Sequence, residues 1–318
     1  MKTKIIYNPK SGKRSLQPLM SYVIEQLSEG GCRNVEVYPT RAAGDATEAA
    51  RDAHLNGCDL VIAVGGDGTV SEVVNGLASF GRPVTNTAKR PILGYIPSGT
   101  SNDFASALSI PTDVRKAVRI ITKGHRANID IGSINGQRSF NYIVAAGAFT
   151  RLTYTTPHHL KRVLGVWAYL KDIFREIPLI QKPFRLQLSI DGQQISGEYV
   201  IALVINSPNF AGMRKVIPHA CMDDGIFDIL LLPKSNPKVL WSAVRSMAMG
   251  VNESTTESGI LHLRGKKISI EAEKRLDWNI DGEHGGRNPI KIECQEKYLQ
   301  MMVPAMAMHK VLSHQDHS

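Results

Sequence analysis

The chain has 318 residues, of which 42% are hydrophobic, and a formal net charge of +9. That length exceeds one ordinary hydrophobic core and predicts two domains. The scattered cysteines, Cys32, Cys58, Cys221 and Cys294, speak against a disulfide framework or a CxxC zinc site. No apolar run reaches the roughly 20 residues of a spanning helix, and Asn8-Pro9 ends the opening apolar stretch too soon for a signal peptide.

In chain order, the first 126 residues alternate strand and helix. Strands are predicted at Lys4–Tyr7, Asn34–Tyr38, Leu60–Val64 and Ile92–Ile96, and helical patterns at Gln17–Ser28, Asp45–Leu55, Val70–Leu77 and Asp113–Thr122. Short apolar strands separated by helices of this length read as a parallel, doubly wound α/β sheet. From Ala127 the pattern changes to short apolar or alternating runs: Ile129–Ile134, Ser139–Val144, Arg185–Ile190, Tyr199–Ile205, Phe227–Leu232, Lys267–Glu271 and Ile290–Glu293. Asn135-Gly136 and Asp191-Gly192 between such runs are hairpin signals. This half, 127–308, is expected to be an antiparallel β-sandwich, with a frayed polar tail at 309–318. Two helical patterns, His159–Ile177 and Lys238–Met249, interrupt it. The first sets Leu160, Val163, Leu164, Trp167, Leu170, Phe174 and Ile177 on a stripe that Lys161, Arg162, Lys171 and Arg175 largely avoid. Packing on the core explains that stripe, and a basic face toward anionic lipid is the sharper reading.

Three turns at predicted strand ends carry the chemistry. Asn8-Pro9-Lys10-Ser11-Gly12-Lys13 follows the first strand, Gly65-Gly66-Asp67-Gly68-Thr69-Val70-Ser71-Glu72 the third, and Pro97-Ser98-Gly99-Thr100-Ser101-Asn102-Asp103 the fourth. Open α/β sheets bind ligands at this edge, and glycine-rich turns let backbone N–H groups approach phosphate oxygens. Asp67 inside such a loop repels phosphate unless a cation lies between, so the set reads as a nucleotide and Mg²⁺ site. Ser101 or Asn102 also suits a helix cap. Further on, Asp223-Asp224-Gly225 and Asp281-Gly282-Glu283 have the composition of turns, yet each offers paired carboxylates. Those of Asp281 and Glu283 are placed to take a hydroxyl proton in a cleft. His158, His159 and His219 have no metal spacing and read as surface or satisfied histidines.

These motifs resemble, in order, those of the diacylglycerol kinase catalytic family, in particular its soluble bacterial members. Tyr7–Gly12, Gly65–Thr69, Gly99–Ala105, Pro218–Asp228 and Asp281–Glu283 carry the resemblance. It implies a nucleotide domain like those of NAD kinases and phosphofructokinases, a β-sandwich behind it and a cleft between. It also implies a last strand, Leu299–Val303, that returns to the first domain. ATP would lie against Asn8, Pro9, Lys10, Ser11, Gly12, Thr40, Gly65, Gly66, Asp67, Gly68, Thr69, Val70, Ser71, Glu72 and Thr100, with Lys13 near the phosphates. Mg²⁺ would be held by Asp224 with the carbonyls of Cys221 and Ile226. Glu283 would accept the proton, with Asp281 in the metal–water network, and Asp67 is the rival base.

The reaction implied is ATP-dependent, Mg²⁺-dependent phosphorylation of a lipid hydroxyl, with diacylglycerol giving phosphatidic acid. The Asn206–Gly212 loop departs from the family's glycine-richer form and leaves the acceptor open, a sphingoid base, another glycolipid or NAD being the alternatives. A nucleotide-binding regulator without turnover is the other class. A bilayer substrate and a positive chain imply a cytoplasmic protein that visits the anionic inner membrane face. Nucleic acid is not expected as a partner, and a homodimer stays open.

Overall fold

The structure is a computed structural model that describes residues 1–11, 17–78, 90–147, 183–209, 216–236, 238–239, 242–243, 246, 259–287, 289–310 and 312. The predicted helices at 159–177 and, for most of its length, 238–249 lie outside the described residues, as do Gly12 and Lys13.

The first half is built on β1 (Lys2–Tyr7), β2 (Arg33–Pro39), β3 (Leu60–Gly65) and β4 (Ile92–Pro97). They pair in parallel in the order β4-β3-β1-β2. Every residue of β3 and β4 is buried, as expected of strands covered on both faces. The covering helices are α1 (Gln17–Glu29), α2 (Asp45–Leu55), α3 (Asp67–Ala78) and α5 (Val114–Lys123), with short α4 (Asp103–Ala107) between β4 and α5. Ala46, Ala49, Ala50 and Ala53 form the buried stripe of α2. They let it lie against α3 at Gly76, where a Cβ would strike the Thr47 carbonyl. The three glycine-rich turns leave the C-terminal ends of β1, β3 and β4 and therefore share one edge.

The second half comprises β5 (His125–Ile134), β6 (Arg138–Phe140), β7 (Ile143–Gly147), β8 (Phe184–Ile190), β9 (Gln193–Ile205), β10 (Phe227–Pro233), β11 (Leu261–Gly265), β12 (Lys267–Ala272), β13 (Asp277–Ile280), β14 (Glu283–Arg287) and β15 (Ile290–Val303), with α6 (Ala305–Lys310) at the end. Asn135-Gly136, Asp191-Gly192 and Asp281-Gly282 all have positive φ at both residues, the geometry of two-residue hairpin turns. The run expected as one strand over Ser139–Val144 is split into β6 and β7. The backbone N–H groups of Asn141, Tyr142 and Ile143 turn to the Asp281 carboxylate.

The two halves share one 15-stranded sheet. β15 is the spine. Its first residues pair with β12, most of its length pairs antiparallel with β5, and Met301 meets Leu93 of β4 in parallel. One core cluster accordingly runs from Val61 and Val73 to Leu203 and Met301, while a second, around Phe140, Phe227 and Trp278, fills the sandwich. Among the described residues no helix is long and apolar enough to cross a membrane.

Candidate active site

The nucleotide-side wall is made of backbone. Asn8 N–H bonds the Val64 carbonyl at 3.0 Å, the Asn8 side chain accepts Lys10 N–H at 2.9 Å, and Ser11 N–H closes the turn on the Asn8 carbonyl at 3.1 Å. Ser98 N–H bonds the Gly65 carbonyl at 2.8 Å, and the Ser98 and Ser11 hydroxyls are 3.2 Å apart. All three turns are thus tied together. Gly66 and Gly99 pack backbone to backbone, and a Cβ on Gly99 would lie 2.5 Å from Gly66 Cα. Asn102 takes the N-cap position of α4 with φ 50°, but its side chain turns back to the N–H and carbonyl of Gly99 instead of capping.

A cleft of about 310 Å³ opens along this edge, lined by Asn8, Lys10, Thr40, Gly68, Thr69, Glu72 and Glu283 together with Arg41, Ala42, Ala43 and Ala46. Seven predicted site residues meet there. Of the others, Val70 packs in the core, and Ser71 donates to Asp281 at 3.3 Å. Pro9 sits exposed on the first turn, and Thr100 is exposed on the third. Glu72 serves structure as well as lining: its carboxylate accepts the N–H groups of Gly44 (2.9 Å) and Ala46 (3.1 Å) at the start of α2. The Arg41–Ala43 segment was missed, its only signal being its place after β2 on the ligand edge.

Carboxylates gather where the two halves meet. Asp281, only 2% exposed, accepts Asn141 N–H (2.7 Å), Tyr142 N–H (3.0 Å), Ile143 N–H (3.2 Å) and the Ser71 hydroxyl. Burial nevertheless pushes its carboxyl up to about 6, against those stabilising N–H groups. Asp67 opens α3 and accepts Phe104 N–H at 3.1 Å. Its pKa is raised by burial first and then by the neighbouring charge of Asp103, with Asp281 a smaller influence in the same sense. Tyr142, buried beside them, is likewise shifted up by burial and by Asp67, Asp281 and Asp103. Asp103, 6% exposed, is therefore a third member of the group. In the sequence it lies within the third turn motif with no signal of a role of its own.

Glu283 stands apart from this buried set. Its side chain is 47% exposed and forms an ion pair at 3.3 Å with Arg138, which also donates to the His284 carbonyl. Burial raises its pKa and Arg138 opposes the rise. A Cβ on Gly68 would lie 2.8 Å from Glu283 Oε1, so the carboxylate hangs directly over the glycine-rich turn. The turn at 281–282 that places it is also an ordinary hairpin turn, and both readings of that motif hold.

The three predicted ligands at 221–226 lie in one loop. Asp130, whose carboxyl is raised to about 6 mainly by burial, anchors it by accepting Gly225 N–H (2.7 Å) and Lys297 N–H (2.6 Å). Asp224 accepts Ile226 N–H at 3.2 Å and pairs with Arg264 at 2.5 Å. Its carboxylate already has a cationic partner, and the Cys221 Sγ lies against the His219 carbonyl. Among the described residues no group of three or more His, Cys, Asp or Glu side chains is arranged to hold a metal. Asp67 and Asp103 are a second pair of carboxylates, each acting on the other by like charge. All four cysteines are free, and His219 is exposed.

Known proteins share this two-part fold. Residues 2–134 match the diacylglycerol kinase catalytic domain and residues 143–303 the YegS C-terminal NAD kinase beta sandwich-like domain. The chain is 36% identical over 305 residues to a diacylglycerol kinase of Bacillus subtilis (strain 168), covering 95% of this chain and 96% of that protein. It is 36% identical over 317 residues to one of Staphylococcus aureus (strain MRSA252), covering 99% and 96%. A solved diacylglycerol kinase structure from Bacillus anthracis str. Sterne superposes with a TM-score of 0.75 at 26% identity, over 96% of this chain and 98% of its own. A second structure from that organism reaches 0.80 at 28% identity, over 96% and 97%. The fold and site define a kinase, a phosphotransferase with an α/β domain and a β-sandwich domain. The chain belongs to the diacylglycerol kinase catalytic family.

Proposed function

We propose that this chain transfers the γ-phosphate of ATP to the hydroxyl of a membrane lipid, diacylglycerol being the acceptor and phosphatidic acid the product. The observation that carries this reading is the convergence of Glu283, from the sandwich, on Gly68 of the nucleotide turn across one cleft. Phosphoryl transfer asks for positioning and charge neutralisation more than covalent chemistry, and the two walls divide those tasks. The N–H groups of the turns and of the start of α3 receive phosphate oxygens, while Lys10 and Arg41 on the cleft lining add positive charge. Glu283 takes the acceptor proton, its carboxylate held in place by Arg138. Asp281 holds the 141–143 backbone and Ser71, and through them the two halves, in register. Asp67 and Asp103 would hold Mg²⁺ through their hard carboxylate oxygens, and the cation would neutralise phosphate charge. A second cation at Asp224, with the Cys221 and Ile226 carbonyls, would have to displace Arg264.

The protein would act from the cytoplasm at the inner membrane face. The test is ATP-dependent phosphate transfer to diacylglycerol in mixed micelles with Mg²⁺, run beside Glu283→Gln. Transfer by the wild type and its loss in the variant is the expected result. Transfer only to another lipid moves the acceptor, and binding of ATP without transfer to any lipid overturns the kinase reading.

A further inference from the structure

A second cavity borders Asp103. Its volume is about 940 Å³, some three times that of the nucleotide-side cleft. Asn102, Asp103 and Ala105 line it from α4, Ile110 from the loop that follows, and Pro208 and Met306 from the second half. Asp103 is thus shared: it faces this cavity and it is the largest charge acting on Asp67. A molecule filling the cavity would meet Asp103, one of the carboxylates whose charges act on Asp67.

The rim is unlike the interior. Met306, 50% exposed, is one of only two large hydrophobic side chains on the described surface. Beside it Lys116 lines the cavity from α5. Advancing about 100° per residue, Arg115, Lys116, Arg119 and Lys123 fall within one arc of α5, and all four are exposed. Ala117, Val118 and Ile121 fall on the opposite arc and are buried. Exposed Arg126 extends the face onto β5, and from Val114 to Arg126 the chain contains no acidic residue.

We propose that the lipid acceptor enters through this cavity, and that the basic face of α5 rests on an anionic bilayer so that the mouth meets the membrane. The proposal rests on the kinase reading above and deepens it. A one-sided basic helix complements an anionic headgroup layer. The exposed methionine at the rim inserts where lipid tails begin, and the cavity gives the extracted glycerol a path to Asp103. An acidic protein partner would complement the charge but would need neither the cavity nor Met306.

The experiment is sedimentation with vesicles of phosphatidylcholine alone or with roughly one-third phosphatidylglycerol. The variants are Arg119→Glu/Lys123→Glu/Arg126→Glu, which alters the face, and Thr112→Trp, which narrows the exposed rim. Wild type should bind only the anionic vesicles, and the triple variant should lose on the order of a hundredfold in partitioning. Its melting temperature and its activity in nonionic micelles should be unchanged. Thr112→Trp should raise KM for diacylglycerol several-fold and leave KM for ATP alone. Equal binding to neutral vesicles, or wild-type binding by the triple variant, overturns the docking face. A wild-type lipid KM in Thr112→Trp overturns the cavity's role. Absence of transfer in micelles by the wild type sinks the kinase reading instead, and the vesicle measurement then still decides the face by itself.

Discussion

The two walls of the cleft are made of different material. The N-terminal wall is backbone: turns 8–11, 65–69 and 98–102 are bonded to one another through main-chain groups and packed glycine against glycine. The C-terminal wall is side chain: Asp281 and Glu283 are delivered by a single hairpin turn, one locked in a network and the other at the cleft. A backbone wall tolerates changes of side chain and fails when a Cβ is added. A carboxylate wall fails when one functional group is exchanged with no change in shape.

Four substitutions separate the walls, beginning with the largest effect. Glu283→Gln keeps volume and removes the base, so kcat should fall by about three orders of magnitude, while calorimetry should find ATP affinity unchanged. A parallel loss of ATP affinity would mean that the walls are not independent. Asp281→Ala strips the partner from three backbone N–H groups and the Ser71 hydroxyl. An orphaned buried donor costs about 1–3 kcal/mol, so denaturant unfolding should show a loss of several kcal/mol along with the activity. Gly99→Ala strikes the backbone wall, where the new Cβ would press on Gly66 Cα. Stability should drop by about 1–3 kcal/mol, KM for ATP should rise, and KM for the lipid should not.

The backbone wall was also the legible one. A glycine-rich turn directly after a buried apolar strand is a local pattern, and the strands and helices around it begin and end within a few residues of their predicted bounds. The carboxylate wall was only half legible. Asp281 and Glu283 announce themselves as acids around a glycine, but their partners lie far away in sequence: Arg138 is 145 residues from Glu283, and Asn141 is 140 from Asp281. No local period shows which backbone will turn toward a distant carboxylate, and that choice split the run at 139–144 into β6 and β7. The same holds for β15. Its two apolar ends, Ile290–Glu293 and Leu299–Val303, read as separate strands because the polar residues between them break the pattern, yet pairing with β5 makes them one. Asp103 sits in a turn motif whose local reading is a helix cap at Ser101 or Asn102, and it acquires its electrostatic role only when folding sets it beside Asp67.

The smallest predicted effect is the most selective for the carboxylate wall. Among the described residues Arg138 is the cation acting on Glu283, lowering a pKa that burial and Glu72 raise. Arg138→Leu removes the opposing influence, so the Glu283 pKa should climb further. A general base works deprotonated, and activity is lost as pH falls through its pKa. The acid limb of the kcat/KM profile should therefore move to higher pH. Activity should drop several-fold on the acid limb and little above it, the plateau surviving because the base is still there. If the plateau itself collapses, Arg138 touches the phosphates and belongs to the binding machinery. If the limb stays where it is, the group titrating in it is not Glu283, and Asp67, whose pKa is raised by its burial and by Asp103, becomes the base.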